Sequence, residues 1–297
     1  MKRELLGVIF AVIAAFSVSL MGVFVKSLGP SFPTSVSLFA RFLVSMALLW
    51  PMIYIDKKFT FKVTEPRRLI FRSLLGLTAM GLYFAALKSI PLTTAILLSN
   101  VTPAIVPLFV YFMLGIRTRK RVWAFIALSL AGIVIVLNPK GHVWHMGSLY
   151  AVLSSVIAAL TVLQMRLLTK THRETTLLFY YFGICTLLTA IWAGLDWQTP
   201  TWHQCVLLFW IGFFGGIYQL FLTWGIARAP ARIVTPALLS SIVFGALWDH
   251  FIWDTYIAMS TFIGALVLFL GVLGVVRYQQ TTPQKTETAN PTQATKQ

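Results

Sequence analysis

About ten stretches of some twenty apolar residues, separated by short basic turns, leave this chain little choice of fold. They run roughly over 5–25, 33–55, 69–88, 92–114, 122–138, 147–168, 175–195, 205–226, 233–252 and 256–276. Each matches the ~20 residues a helix needs to cross the ~30 Å apolar layer of a bilayer. Only helices or closed barrels satisfy their backbone polar groups there, and the period-2 alternation of a barrel is absent. The residue balance agrees: 58% hydrophobic and 11% charged, with mean hydropathy +0.81. A soluble domain of 297 residues needs far more polar surface. The fold class is therefore an all-α integral membrane protein, with no room for an extramembrane domain.

The two halves echo each other. Residues 7–26 laid over 147–166 put Gly7 on Gly147, Leu20 on Leu160 and Lys26 on Arg166. The same shift puts Leu38-Phe39 on Leu178-Phe179, Phe42 on Phe182 and Leu48 on Leu188. With small changes of register Gly76 and Pro91 meet Gly215 and Pro230, and Leu98-Ser99 meets Leu239-Ser240. Five spans per half is an odd number, so the second half enters the membrane from the opposite side. Two inverted five-helix repeats, over 1–140 and 141–278, are the architecture of secondary transporters.

Charge sets the orientation. Lys2, Arg3, Lys57, Lys58, Lys62, Arg67, Arg68, Arg72, Arg117, Arg119, Lys120, Arg121, Arg166, Lys170, Arg173, Arg228, Arg232 and Arg277 cluster in one set of alternate turns. The other set holds Lys26, Lys88 and Lys140. Basic turns stay in the cytoplasm, so both termini are expected there, in a bacterial inner membrane. The net charge of +16 is thus a topology signal; it excludes nucleic acid as a partner and favours contact with anionic lipid. The first apolar run has no small-x-small cleavage signal and is expected to remain as an uncleaved span. The tail over 279–297 is polar and expected to be disordered. Cys185 and Cys205 form no metal spacing and are expected to pack as small apolar residues. Asn100-Val101-Thr102 lies inside a span and is no glycosylation site.

Several phrases resemble the drug/metabolite transporter superfamily in its ten-span, EamA-type form. They are Ala40-Arg41-Phe42-Leu43, Ile90-Pro91-Leu92-Thr93-Thr94-Ala95, Leu97-Leu98-Ser99-Asn100-Val101-Thr102-Pro103, Ala131-Gly132-Ile133-Val134 and Leu270-Gly271-Val272. The resemblance covers nearly all of the chain except the tail. It implies a carrier with its substrate cavity between the halves, built mainly from spans three, four, eight and nine. Relatives of this kind carry amino acids, their derivatives or nucleotide-like compounds such as S-adenosylmethionine. The family's Gly-Glu pairs at the ends of spans four and nine are missing: the chain reads Leu114-Gly115-Ile116-Arg117 and Trp248-Asp249-His250. Roles tied to those glutamates are not carried over.

Within the spans Arg41 is the leading site candidate. It lies a quarter to a third of the way along its span with no acid beside it, and a charge at that depth normally faces a cavity or a partner. Its fork suits a carboxylate or phosphate; the competing reading is snorkelling to the surface. Lys26 and Lys88 either snorkel likewise or give the outer mouth an anion-attracting field. Asn100, Gln164 and Gln219 need partners when buried; with Ser99 they are candidate substrate contacts. Tyr83, Tyr218 and Trp224 are candidates to stack on a ring. Ser17, Ser19, Ser240 and Ser241 are expected to bond back to their own helices. Pro103 and Pro107 are expected to break span four, and Pro236 lies in span nine, as a static kink or a gating bend; Gly212, Gly215 and Gly216 allow close helix packing. Asp249, His250 and Asp254 form a small polar cluster at the outer end of span nine, in which His250 and Asp254 share a face if the helix continues, as a sparse ion or proton site that defines no metal centre.

No cofactor motif is present. No carboxylate is expected in a span core, which argues for exchange or facilitated transport over proton drive through a membrane acid. The functional expectation is a secondary transporter for a small polar metabolite working by alternating access. An exporter of hydrophobic cationic drugs is the alternative, and a lipid-modifying membrane enzyme is weaker still, because it needs clustered acids or histidines.

Overall fold

In a computed structural model the described residues are 2–56, 59–114, 120–137, 146–169, 171–229, 234, 237–255 and 259–279. They form eleven helices, α1 Lys2–Ser27, α2 Thr34–Ile55, α3 Pro66–Ser89, α4 Leu92–Ser99, α5 Thr102–Leu114, α6 Lys120–Leu137, α7 Met146–Leu168, α8 Glu174–Leu195, α9 Trp202–Arg228, α10 Ser240–Trp253 and α11 Met259–Gln279. Seven of these are long and apolar enough to cross a membrane. The chain is a multi-pass membrane protein. The tail from 280, the Gly115–Arg117 turn, Lys140 and the join between the halves, and Pro236 lie outside the described residues.

Side-chain contacts fix the alternation of the helices. At the end where α1 starts, the near end, Gly7 packs on Ala229 after α9. The α2–α3 connection is strapped onto α8 there: Arg173 and Thr175 hold Asp56, Thr176 Oγ1 donates to Thr60 O at 3.1 Å, and Tyr180 Oη donates to Phe61 O at 2.7 Å. At the far end, α1, α4 and α10 meet through Lys26, Thr93 and Asp249. α1 packs along α9, α3 along α7, α2 against α8 and α9, and α6 along α11.

The α6–α11 seam is built from small residues. A β-carbon placed on Gly132 would lie 2.6 Å from Leu268 N, and one on Gly264 only 2.8 Å from Gly132 O. Backbones in contact replace the side-chain burial that lipid does not drive. The glycines of α9 act in the same way against α2. A β-carbon on Gly212 would meet Val44 at 2.4 Å, and one on Gly216 would meet Ser45 at 3.2 Å.

Four expectations need correction. The span over 92–114 is two helices, α4 and α5, with the break at Asn100–Val101. Pro103 sits in the first turn of α5, where a missing N–H costs nothing, so the break falls ahead of it, and α5 runs on through Pro107 without a break. Arg72 is no turn charge: it lies inside α3, only 3% exposed. The carboxylate of Asp249 is buried at 2% exposure near the end of α10. Cys205 is exposed at the start of α9, while Cys185 is buried as expected.

Candidate functional site

α2 has to hide an arginine. Its buried positions include Leu38, Arg41, Phe42, Ser45 and Leu49, the three-and-four spacing of one helix face. Arg41 is 0% exposed, so it does not snorkel. Nε and both terminal nitrogens of its guanidinium have no hydrogen-bond partner. The guanidinium lies 4.4 Å from the Phe42 ring centroid. Room for it comes from α9: a β-carbon on Gly215 would lie 3.1 Å from Arg41 Cγ, 3.2 Å from its Nε and 3.2 Å from Met21 Sδ.

A second guanidinium approaches from α3. Arg72 stacks 4.5 Å from the centroid of the Tyr181 ring on α8, and its Nε has no partner. Tyr181 in turn meets Phe42 edge-on at 5.6 Å, and Gly76 leaves space for its hydroxyl edge. Tyr181 and Cys185 both lie within electrostatic reach of Arg41 and Arg72. Tyr218 on α9 joins through Arg41, and Tyr83 joins through Tyr218. Two buried cations, three tyrosines and a thiol thus lie within electrostatic range of one another inside the bundle. Neither arginine takes part in the ion pairs found among the described residues, which are Lys26–Asp249, Arg68–Glu65 and Arg173–Asp56. A buried charge without a counter-ion costs several kcal/mol, and an acidic group arriving there would relieve that cost.

The remaining sequence candidates divide. Tyr218 lies within electrostatic range of Arg41, and Tyr83 within range of Tyr218. Gln219 is buried one residue beyond Tyr218. Asn100 ends α4: its Nδ2 donates to Ile96 O at 2.8 Å and to Ser241 Oγ at 3.2 Å, bridging α4 to α10. Ser99 Oγ and Gln164 Oε1 are buried without partners. Trp224 lies at the near end instead, packed on Phe10 and Phe221. It lines an open groove of about 780 Å³ with Leu6, Met52, Asp56, Arg173 and Arg228. Ser17, Ser19, Ser240 and Ser241 bond back to their own chain within four residues.

The far-end ions are committed to each other. Lys26 Nζ lies 3.0 Å from Asp249 Oδ1 and 4.4 Å from the Trp253 ring centroid. Asp249 also accepts from Leu92 N at 3.2 Å, Thr93 N at 2.7 Å and Thr93 Oγ1 at 2.8 Å. Pro91 offers α4 no side-chain cap, so a carboxylate from α10 caps it, at the positive end of its dipole. Lys88 Nζ donates to Phe32 O at 2.5 Å and Thr34 Oγ1 at 3.2 Å. Lys26 is thus paired with an acid, while Lys88 is held by neutral oxygens and keeps its charge. His250 and Asp254 do not share a helix face, because α10 stops at Trp253 and Asp254 is left-handed at φ 48°. No cluster of metal-ligating side chains occurs among the described residues.

Sequence reasoning missed Arg72, Tyr181 and Cys185. The repeat carried the signal for two of them. The shift that pairs Phe42 with Phe182 also pairs Arg41 with Tyr181 and Ser45 with Cys185.

Buried charged side chains inside a polytopic helical bundle mark a functional site of a membrane protein. The profile of the EamA-like transporter family matches residues 5–138 and again 145–277, and the chain belongs to that family. It is 27% identical over 275 residues to the pseudopaline exporter of Pseudomonas aeruginosa, covering 91% of this chain and 96% of that one. It is 25% identical over 277 residues to the S-adenosylmethionine uptake transporter of Rickettsia felis, covering 93% and 94%. A solved crystal structure shares the fold with a TM-score of 0.66 at 18% identity, over 94% of this chain and 97% of that one.

Proposed function

We propose that the protein is a secondary transporter for a small polar metabolite bearing an acidic group, with Arg41 holding that group inside the membrane-spanning bundle. The carrying observation is the fully buried guanidinium whose three nitrogens have no partner. A guanidinium fork matches a carboxylate or phosphate in charge and in geometry. Tyr83, Tyr218 and Gln219 would complete the seat. The relatives named as exporter and as uptake transporter both move small metabolites, while they differ in direction.

Alternating access between two inverted five-helix halves, over 1–140 and 141–278, is the mechanism we infer, with ten spans and both termini in the cytoplasm of a bacterial inner membrane. Packing supports the pairing of halves. α1 runs along α9 as α7 runs along α3, and α2–α8 and α6–α11 pair across the halves. Finer contacts repeat too. Ser45 Oγ donates to Gly212 O at 2.9 Å, and its counterpart Cys185 Sγ faces Ser73 O at 3.6 Å. Gly215 makes room for Arg41 as Gly76 does for Tyr181. On this reading Lys26–Asp249 closes the outer end and Asp56–Arg173 fastens the inner one. With Asp249 already neutralised by Lys26, exchange or facilitated transport is favoured over proton drive.

The test is thermal stabilisation of the purified protein by acidic, zwitterionic, cationic and neutral metabolites, on wild type and Arg41→Ala. A ligand of the folded state raises apparent stability by mass action. Stabilisation confined to acid-bearing compounds and lost in Arg41→Ala supports the proposal. Stabilisation by lipophilic cations, unchanged in Arg41→Ala, would move the protein to drug export.

A further inference from the structure

Arg72 makes the site chemically narrower than a seat for one acid. It comes from a different helix than Arg41, and it too is buried, with an unpartnered Nε. Arg41 lies 14 residues from the near end of α2 and Arg72 lies 6 from the near end of α3. At 1.5 Å per residue their backbones differ in depth by about 12 Å. Tyr181 lies 7 residues and Cys185 lies 11 residues from the near end of α8, so both fall between the two levels. The guanidiniums converge on this stretch: that of Arg72 lies on the Tyr181 ring, and that of Arg41 lies on Phe42, which itself touches Tyr181. Aromatic faces attract a cation but do not cancel its charge. One monoanion would neutralise one arginine and leave the other exposed to the same desolvation cost.

We infer that Arg41 and Arg72 together form a seat for a dianion, a ligand with two acidic groups joined by a short spacer, with one group at each arginine and the spacer against Tyr181. The inference rests on the proposal that Arg41 contacts substrate and extends it to the ligand's charge. It sets the favoured substrate apart from simple zwitterions, which bring one acid and a cation that two arginines would repel.

Isothermal titration of the full-length protein in detergent tests this with succinate, glutarate and adipate as dianions, butyrate as monoanion and tetraphenylphosphonium as cation. Wild type should bind the best dianion at least about tenfold more tightly than butyrate, what one charge-assisted contact is worth. Arg72→Gln should abolish that preference while butyrate still binds, and Arg72→Lys should restore part of it. A second readout needs no ligand. The ligand-free double variant Arg41→Met/Arg72→Met should melt at a higher temperature than wild type, because two uncompensated charges are gone. Butyrate binding as tightly as every dianion, through Arg41 alone, would overturn the dianion seat and leave the Arg41 proposal standing. Binding of the cation alone would overturn both. A double variant that melts lower than wild type would make the arginines structural and overturn the seat.

Discussion

Removing the Asp249 carboxylate should loosen the far end of the bundle by a predictable amount. In Asp249→Ala three hydrogen bonds to α4 and the ion pair to Lys26 disappear together. Removing one member of a buried pair costs about 3–5 kcal/mol, chiefly because the other is stranded. Lys26 keeps 19% exposure, so the lower figure applies, about 3 kcal/mol. A chain somewhat larger than 250 residues loses about 2–4 °C per kcal/mol, which sets a fall of about 6–12 °C. Asp249→Asn keeps the shape and one acceptor and should lose about 1–2 kcal/mol. The assay is intrinsic tryptophan fluorescence during heating, in one detergent and at one scan rate, because unfolding of such proteins is often irreversible. Lys26→Met and the double variant complete a cycle with a coupling of about 1–3 kcal/mol. An unchanged midpoint in Asp249→Ala would refute the claim that this carboxylate caps α4 and pairs with Lys26.

Four further outcomes follow from the geometry. Gly215→Ala should push the Arg41 side chain aside, since the new methyl carbon would lie 3.1 Å from Cγ; calorimetry should find anion affinity lowered more than melting temperature. Ser45→Ala removes the hydrogen bond to Gly212 O and should cost about 1 kcal/mol in thermal unfolding. Gly132→Val should break the α6–α11 seam, where its first side-chain carbon would sit 2.6 Å from Leu268 N, and should lower folded yield sharply by size-exclusion chromatography. A membrane-impermeant maleimide on intact cells should label exposed Cys205 at the far end and spare buried Cys185; labelling only after lysis would reverse the proposed orientation.

Most of the helices could be read from hydropathy alone, because bilayer thickness and backbone hydrogen bonding leave so few solutions. The break in span four was signalled by Pro103 but misplaced, since a proline in a first turn tolerates the helix it begins. The site was half legible. Arg41 stood out because nothing in its own span could neutralise it. Arg72 fell inside the span over 69–88, but Arg67 and Arg68 just before it grouped it with the basic turn, and its burial within α3 shows only in the fold. Asp249 was read with His250 and Asp254 because they adjoin it in sequence. Its real partners lie 156 to 223 residues away, and one-dimensional spacing carries no information about them. Tyr181 was available through the repeat, had the match at Phe42 been extended by one residue.

The most direct measurement is counterflow in proteoliposomes. Purified protein is reconstituted with the best-stabilising acidic metabolite inside, and labelled metabolite is added outside. Wild type should accumulate label transiently in exchange for the internal pool, and Arg41→Ala should show none above empty liposomes although it folds. Accumulation by Arg41→Ala at the wild-type rate would contradict the claim that the buried guanidinium holds the substrate.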